Sequence, residues 1–310
     1  MSCLITGSMA FDTIMGFEDQ FKNHILPDKT HILNVSFLVP SMKRFVGGCA
    51  GNIAYTLKLL GGEPQIMATV GQDFGVYKSW LEQNKISVEH IKEIPDEFTA
   101  QAFITTDVDN NQLIAFHPGA MNFAHESNVA DAQGVALGLV GPNGRDAMIK
   151  HSADFAHQKT PFIFDPGQGL PMFDGDNIMT FLDQATYAIA NDYESELMME
   201  RTGLSLQELA SKVDALIVTR GGKGSEVHTD GKVIDIASAP ISEAVDPTGC
   251  GDAYRAGLIH GLTAKRDWKT CGQIGALCGA IKIEQSGTQQ HSFTMEEFAA
   301  RYNSAFGETL

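Results

Sequence analysis

The chain has 310 residues, 43% of them hydrophobic and 19% charged, which is enough apolar content for a large buried core and too much for a disordered chain. Its formal charge of −16 argues against nucleic acid as a partner, because phosphate backbones are met by basic surfaces. The five cysteines, Cys3, Cys49, Cys250, Cys271 and Cys278, contain no C-x-x-C pair. That speaks against a disulfide framework or structural zinc site and for a reducing, cytoplasmic compartment. The opening "MSCLITGSMAFD" lacks the basic and long apolar regions of a signal peptide, and no apolar run approaches about 18 residues, so no membrane span is expected.

In chain order, "LIT" reads as a strand and "AGNIAYTLKLLGG" as a helix, with Ala50, Ile53, Ala54, Leu57 and Leu60 on one stripe and Gly61 and Gly62 as its stop. "QIMATV" is then a strand and "YKSWLEQN" a helix. "PFIFD", "TYAIAN" and "ALIVTR" are buried-strand patterns, each preceded by a helical segment. After a hairpin at "HTDGKV", the last third reads as three helices in succession. The alternation predicts an α/β fold, with a central, mostly parallel sheet covered by helices on both faces. Two regions break the rhythm: "FEDQFKNHILPDKTHILNVSFLVPSMKRFVGG" and "TAQAFITTDVDNNQLIAFHPGAM", the second with a turn signal at Asp109-Asn110-Asn111. They are expected to form a small antiparallel sheet projecting as a lid, over about 13–46 and 99–120 of a single domain spanning 1–310. Edge hairpins without a mobile role would show the same pattern.

Several stretches suit chemistry. In "DPTGCGDAYRAG", Gly249, Cys250 and Gly251 fall where the chain turns into a helix expected to begin near Ala253. The first amides of a helix lack internal partners and carry the positive end of its dipole. Glycines let an anion approach them closely, so this segment suits an anion hole. Asp252 beside it suits a base that takes a proton from a hydroxyl attacking a phosphoryl group. A helix N-cap in an ordinary turn would look the same. "NDYE" places Asn191 and Glu194 one helical turn apart, fit either for a cap or for the water shell of a magnesium ion. "TRGGKG" after a strand is a glycine loop or a hairpin turn, and no G-x-x-x-x-G-K-[ST] phosphate loop occurs. His151 and His157, six apart, read as surface residues. Met198, Met199 and the aromatics of the last helices read as core.

The run Asp246–Tyr254 is similar to the C-terminal signature of the ribokinase-like (PfkB) carbohydrate and nucleoside kinases, with Cys250 at a position usually held by alanine. The resemblance implies an ATP-dependent kinase in which Asp252 is the general base and the amides of Gly249, Cys250 and Gly251 bind the phosphoryl group in transfer. "FVGGCAGN" resembles the family's di-glycine segment, implying a lid hinge at Gly47 and Gly48 and a sugar contact at Asn52. Asp12, in "GSMAFDTIM", takes the place of an aspartate that grips vicinal hydroxyls. The resemblance further implies that Asn191 and Glu194 organise Mg²⁺ and its waters, and that Thr219, Gly221 and Gly224 border ATP. "EQSGTQ" takes the place of carbonyls that hold a monovalent cation, K⁺, and wall the adenine pocket, with Asp246, Thr248 and Gly287 contributing. These motifs run in family order from Gly7 to about Gln289.

Within the family, "GSMAFDTIM", "GGCAGNIAYTLKLLGG" and "FHPGAM" resemble bacterial adenosine kinases. That implies phosphorylation of a nucleoside 5′-hydroxyl, adenosine to AMP, as in purine salvage. A nucleoside needs an apolar wall for its base as well as a diol grip. Phe11, Phe37, Phe116 and Met121, in or beside the expected lid, suit that wall or lid packing. A ribokinase- or fructokinase-like sugar kinase, and a non-catalytic ligand sensor, are the alternatives. Monomers and lid-mediated homodimers both occur in families of this kind.

Overall fold

The computed structural model describes residues 2–25, 35–109 and 111–310. Its first half runs β1 (Ser2–Thr6), β2 (Ala10–Gly16), β3 (Ser41–Gly47), α1 (Cys49–Leu59), β4 (Glu63–Gly71), α2 (Gly75–Gln83), β5 (Ile91–Ile94), β6 (Ala100–Thr106) and β7 (Gln112–His117). Then come β8 (Val135–Val140), α3 (Arg145–Gln158), β9 (Phe162–Phe164), α4 (Gly175–Gln184), β10 (Tyr187–Asn191), α5 (Asp192–Thr202), α6 (Leu206–Ala210) and β11 (Ala215–Thr219). The hairpin β12 (Ser225–Thr229) and β13 (Lys232–Ile236) leads to α7 (Cys250–Thr263), α8 (Trp268–Ile283) and α9 (Met295–Phe306).

The main sheet has nine strands in the order β13-β12-β11-β10-β9-β8-β1-β4-β5. It is parallel from β11 to β5, and only the β12 and β13 hairpin runs antiparallel. Alternation along each strand sends side chains to opposite faces. Thus Ile5, Ile189 and Ile217 join one core with Ile53 and Leu57 of α1 and Leu258 and Ile259 of α7. Leu4, Ala188 and Leu216 join the other, with Phe155 of α3, Phe181 of α4 and Met198 of α5. Both faces are therefore covered, as the alternating pattern predicted. Strands β5 and β8 were not read from the sequence, although β8 ("VALGLV") is an unbroken apolar run.

The small sheet orders β3-β2-β6-β7. It is mixed rather than antiparallel, because β2 pairs with β6 in parallel while β3 and β7 run antiparallel to their neighbours. The reason is topological: α1, β4, α2 and β5 intervene between β3 and β6, and this crossover returns the chain in the direction of β2. Asn110 of the expected turn lies outside the described residues, as do 26–34 of the first lid region. His151 corrects another expectation. It sits on the inner stripe of α3 at 1% exposure, its Nε2 facing the Ser127 carbonyl at 3.3 Å. Burial, with Lys150 beside it, lowers its pKa to about 4. His157 is exposed. Met198, Phe298 and Tyr302 are buried, as expected.

Candidate active site

Asp12, Asn52, Asp246 and Asp252 converge where the C-terminal ends of the central strands meet the small sheet and the start of α7. That is where open parallel sheets hold ligands. Helix α7 begins at Cys250, earlier than the sequence reading placed it, with Gly249 as its N-cap at φ +81°. That left-handed conformation favours glycine. The Cys250 amide turns back to the Pro247 carbonyl at 3.2 Å. Among the described residues the amides of Gly249, Gly251 and Asp252 have no protein acceptor, so they form an open, positive rim at the helix end.

Asp252 lies in the first turn of α7, half-buried. Burial pushes its pKa up to about 6; Arg255 and a hydrogen bond from Asn52 pull the other way, and Asp165 and Asp12 add to the rise. The Asn52 amide donates from Nδ2 to Asp252 Oδ2 at 2.8 Å. Its Oδ1 accepts from Gln289 Nε2 at 3.0 Å. Gln289 is fully buried and is itself held by the Tyr77 hydroxyl and the Trp80 indole. Each amide's orientation is thereby set by its partners. Asn52 at 5% exposure points at the carboxylate rather than into open space, with one Nδ2 hydrogen left over.

Asp12 sits inside β2, part of the small sheet. Burial, then the charge of Asp246, raises its pKa to about 6. Its carboxylate occupies the space that a Cβ on Gly47 would need. Gly48 has φ +83°, and a Cβ there would come within 2.6 Å of the backbone of Ser8 and Ala10. Gly48→Ala is therefore expected to destabilise the fold by about 2 kcal/mol or more, read as a lower midpoint in urea.

Two residues that the sequence reading passed over stand beside Asp252. Arg255, further along α7, grips Asp165 just after β9 through Nε and Nη2, the latter at 2.6 Å. Both are buried, at 7% and 1% exposure. The third nitrogen, Nη1, lies against Gly251, 2.8 Å from where a Cβ would stand, and donates to no acceptor among the described residues. A charged residue inside the apolar stripe of "GDAYRAGLIHGL", and an aspartate ending "PFIFD", were the available signals.

A model of the pfkB family of carbohydrate kinases matches residues 22–294. The chain belongs to this family. A nucleoside kinase of Burkholderia thailandensis, in complex with inosine, superposes with a TM-score of 0.90 at 45% identity over 99% of each chain. The same kinase in complex with ADP-inosine gives 0.88 at 46%, covering 99% of this chain and 97% of that one. A nucleoside kinase of Methanocaldococcus jannaschii is 31% identical over 86% of this chain and 89% of its own.

In this pfkB-family kinase the remaining expected residues are distributed unevenly. Asn191 and Glu194 cap α5 reciprocally, Asn191 Oδ1 accepting from the Glu194 amide at 2.7 Å and Glu194 Oε2 from the Asn191 amide at 2.8 Å. Burial, then Asp165, raises the Glu194 pKa. Its Oε1 has no protein partner among the described residues, and an oxygen donor of this kind fits the water shell of a magnesium ion. Among the described residues no cluster of three His, Cys, Asp or Glu side chains could hold a metal directly. Thr219 ends β11 beside Asn191. Gly221, at φ +54°, borders open space, whereas Gly224 lacks a side chain because the Ile236 carbonyl lies 2.0 Å from its Cβ position. Thr248 is exposed. Its amide and that of Gly287 donate to the two Asp246 oxygens, at 2.9 and 2.8 Å. Of the oxygens expected to hold a monovalent cation, the Asp246 carbonyl is met by the Lys282 ammonium, 2.8 Å away.

Proposed function

We propose that this kinase transfers the terminal phosphoryl group of ATP to the 5′-hydroxyl of purine nucleosides, adenosine to AMP among them. The observation that carries the acceptor class is the face of the small sheet that bears Asp12. Residues paired across strands share a face. Asp12 pairs with Phe45 and Ala102, and Ala102 with Phe116; one step outward, Ile14 pairs with Ile104, and Ile104 with Ile114. A carboxylate for a diol and an apolar surface for a base thus lie on one side of one sheet. Ile114 and Phe116 there are 59% and 53% exposed, with no layer over them among the described residues. Such a surface is costly to leave in water and suits a stacked base. Phe11, by contrast, is on the opposite face, buried against Tyr77 and under Arg44. Phe37 packs with Phe17 and Phe21. Neither belongs to the base wall. The similarity to a nucleoside kinase in complex with inosine supports the same class.

In this reading Asp12 accepts from the ribose diol, leaving the 5′-hydroxyl at Asp252. Asp252 takes the hydroxyl proton as oxygen attacks phosphorus, and Asn52, held by Gln289, keeps the carboxylate aimed. The free amides at Gly249 and Gly251 and Nη1 of Arg255 face the charge that spreads over the phosphoryl oxygens. Asn191 and Glu194 would hold Mg²⁺ through water, and Thr219 and Gly221 would border the nucleotide. Bound Mg²⁺ neutralises phosphate charge. The small sheet is the lid, on a single domain spanning 1–310, and closes by moving about Gly47 and Gly48.

The test is kcat/KM for adenosine, 2′-deoxyadenosine, inosine, ribose and fructose with Mg-ATP. A site built to pair with a hydroxyl rejects the analogue lacking it, so 2′-deoxyadenosine should lose about 100-fold or more. Inosine should lose less, because base contact is mainly apolar. Ribose or fructose turning over faster than adenosine would replace this reading with a sugar kinase. Adenosine binding without turnover would favour a sensor.

A further inference from the structure

Lys282, near the end of α8, is completely buried, at 0% exposure. Its Nζ donates to the Asp246 carbonyl at 2.8 Å and to the Gln285 carbonyl at 3.0 Å, and stands 4.0 Å from Asp246 Oδ2. Both bonded partners are acceptors only, which an ammonium with three N–H groups serves best. Burial of such a charge is costly unless it is paired and hydrogen-bonded, and here it is both. Backbone carbonyls beside a carboxylate are also the oxygen set that takes the place of water around a potassium or ammonium ion.

We propose that the Lys282 ammonium is a built-in substitute for a monovalent cation, so that this kinase needs no free K⁺. The position explains what the charge would do. Asp246 opens the turn that ends at Gly249 and Cys250, and its carboxylate is tied to Thr248 and to Gly287. Lys282 joins this turn to the one after α8 through the carbonyls of Asp246 and Gln285. The amide rim at Gly249 and Gly251 is thereby held in place from behind. Lys282 acts through that turn and is a positioning residue, not one that meets substrate. A free ion at the Asp246 and Gln285 carbonyls would face a fixed positive charge already bonded to both.

The inference rests on the kinase reading only for its assay. Turnover of the full chain is measured with Mg-ATP and whichever acceptor of the panel it phosphorylates, in KCl, NaCl and choline chloride at equal ionic strength. Wild-type kcat is expected to agree within about twofold in the three salts. Lys282→Ala should lose about tenfold or more in kcat, the scale of lost charge-assisted hydrogen bonds, and recover a large part in KCl or NH₄Cl but not in NaCl or choline chloride. Lys282→Met, which fills the space without charge, should lose activity and not recover. A rise of more than about fivefold in wild-type kcat on adding K⁺ overturns the proposal, as does a Lys282→Ala protein that is fully active in choline chloride. If Lys282→Ala does not fold, the wild-type series alone decides. If no acceptor is turned over, the nucleoside reading fails separately, and the ADP-bound wild type is melted instead. Equal Tm in KCl and choline chloride supports the substitution, and a K⁺-specific rise of several degrees refutes it.

Discussion

Asp252→Asn is expected to lower kcat by roughly 10²–10⁴-fold, the range for a lost general base. Asparagine has nearly the same shape, so ATP and acceptor affinity should change far less. The wild type supplies the matching pH signature. Burial raises the Asp252 pKa to about 6, and a base acts only when deprotonated, so kcat/KM should fall as pH drops below that value. The stability effect has the opposite sign. A carboxyl whose folded pKa exceeds its ordinary value of 3.8 binds its proton more tightly in the folded state. Its stabilising contribution is complete below 3.8 and is lost as pH rises through about 6, leaving a cost at neutral pH. Asp252→Asn removes that cost and should stabilise the protein by about 1–3 kcal/mol at pH 7. ADP release and urea unfolding check the two halves. A variant keeping more than about half of wild-type kcat, with chemistry rate-limiting, ends the assignment.

Asp165→Asn should destabilise the fold by about 3–5 kcal/mol, because it strands the Arg255 guanidinium in the interior. Asp165 is 1% exposed and both of its oxygens face Arg255. The pair is informative because stability and activity should separate. Asp165→Leu with Arg255→Met replaces both charges by apolar groups, and such swaps commonly restore most of the lost stability. Activity should stay low in the double variant if Nη1, beside Gly251, serves the transferred group. A double-mutant cycle in urea and in kcat tests this. Loss of less than about 1 kcal/mol in Asp165→Asn, or near-wild-type kcat in the double variant, would sink it.

Local patterns carried much of the fold. Apolar stripes at helical spacing marked α1, and short apolar runs marked β9, β10 and β11, because their periods follow from backbone geometry alone. The glycine run before α7 was legible for the same reason. A left-handed N-cap at Gly249 and unpaired first amides are properties of a few consecutive residues. The direction of β6 against β2 was not legible, since it depends on the segment that crosses between them. Nor was the burial of His151, which the packing of α3 decides.

The residues around the candidate base divide in the same way. Asp12, Asn52, Asp246 and Asp252 stood out because each lies in a short motif whose order along the chain could be read. Their partners did not. Gln289 reaches Asn52 and Arg255 reaches Asp165 across separations of 237 and 90 residues, and Lys282 is one of two lysines in a largely apolar helix. By itself the sequence determined which local elements form and which of them expose backbone amides and carboxylates. Only the tertiary structure decided which buried charges pair, which amide aims Asp252, and which cation stands at Asp246. Those contacts join distant segments, and desolvation, which sets their strength, exists only once the core has closed.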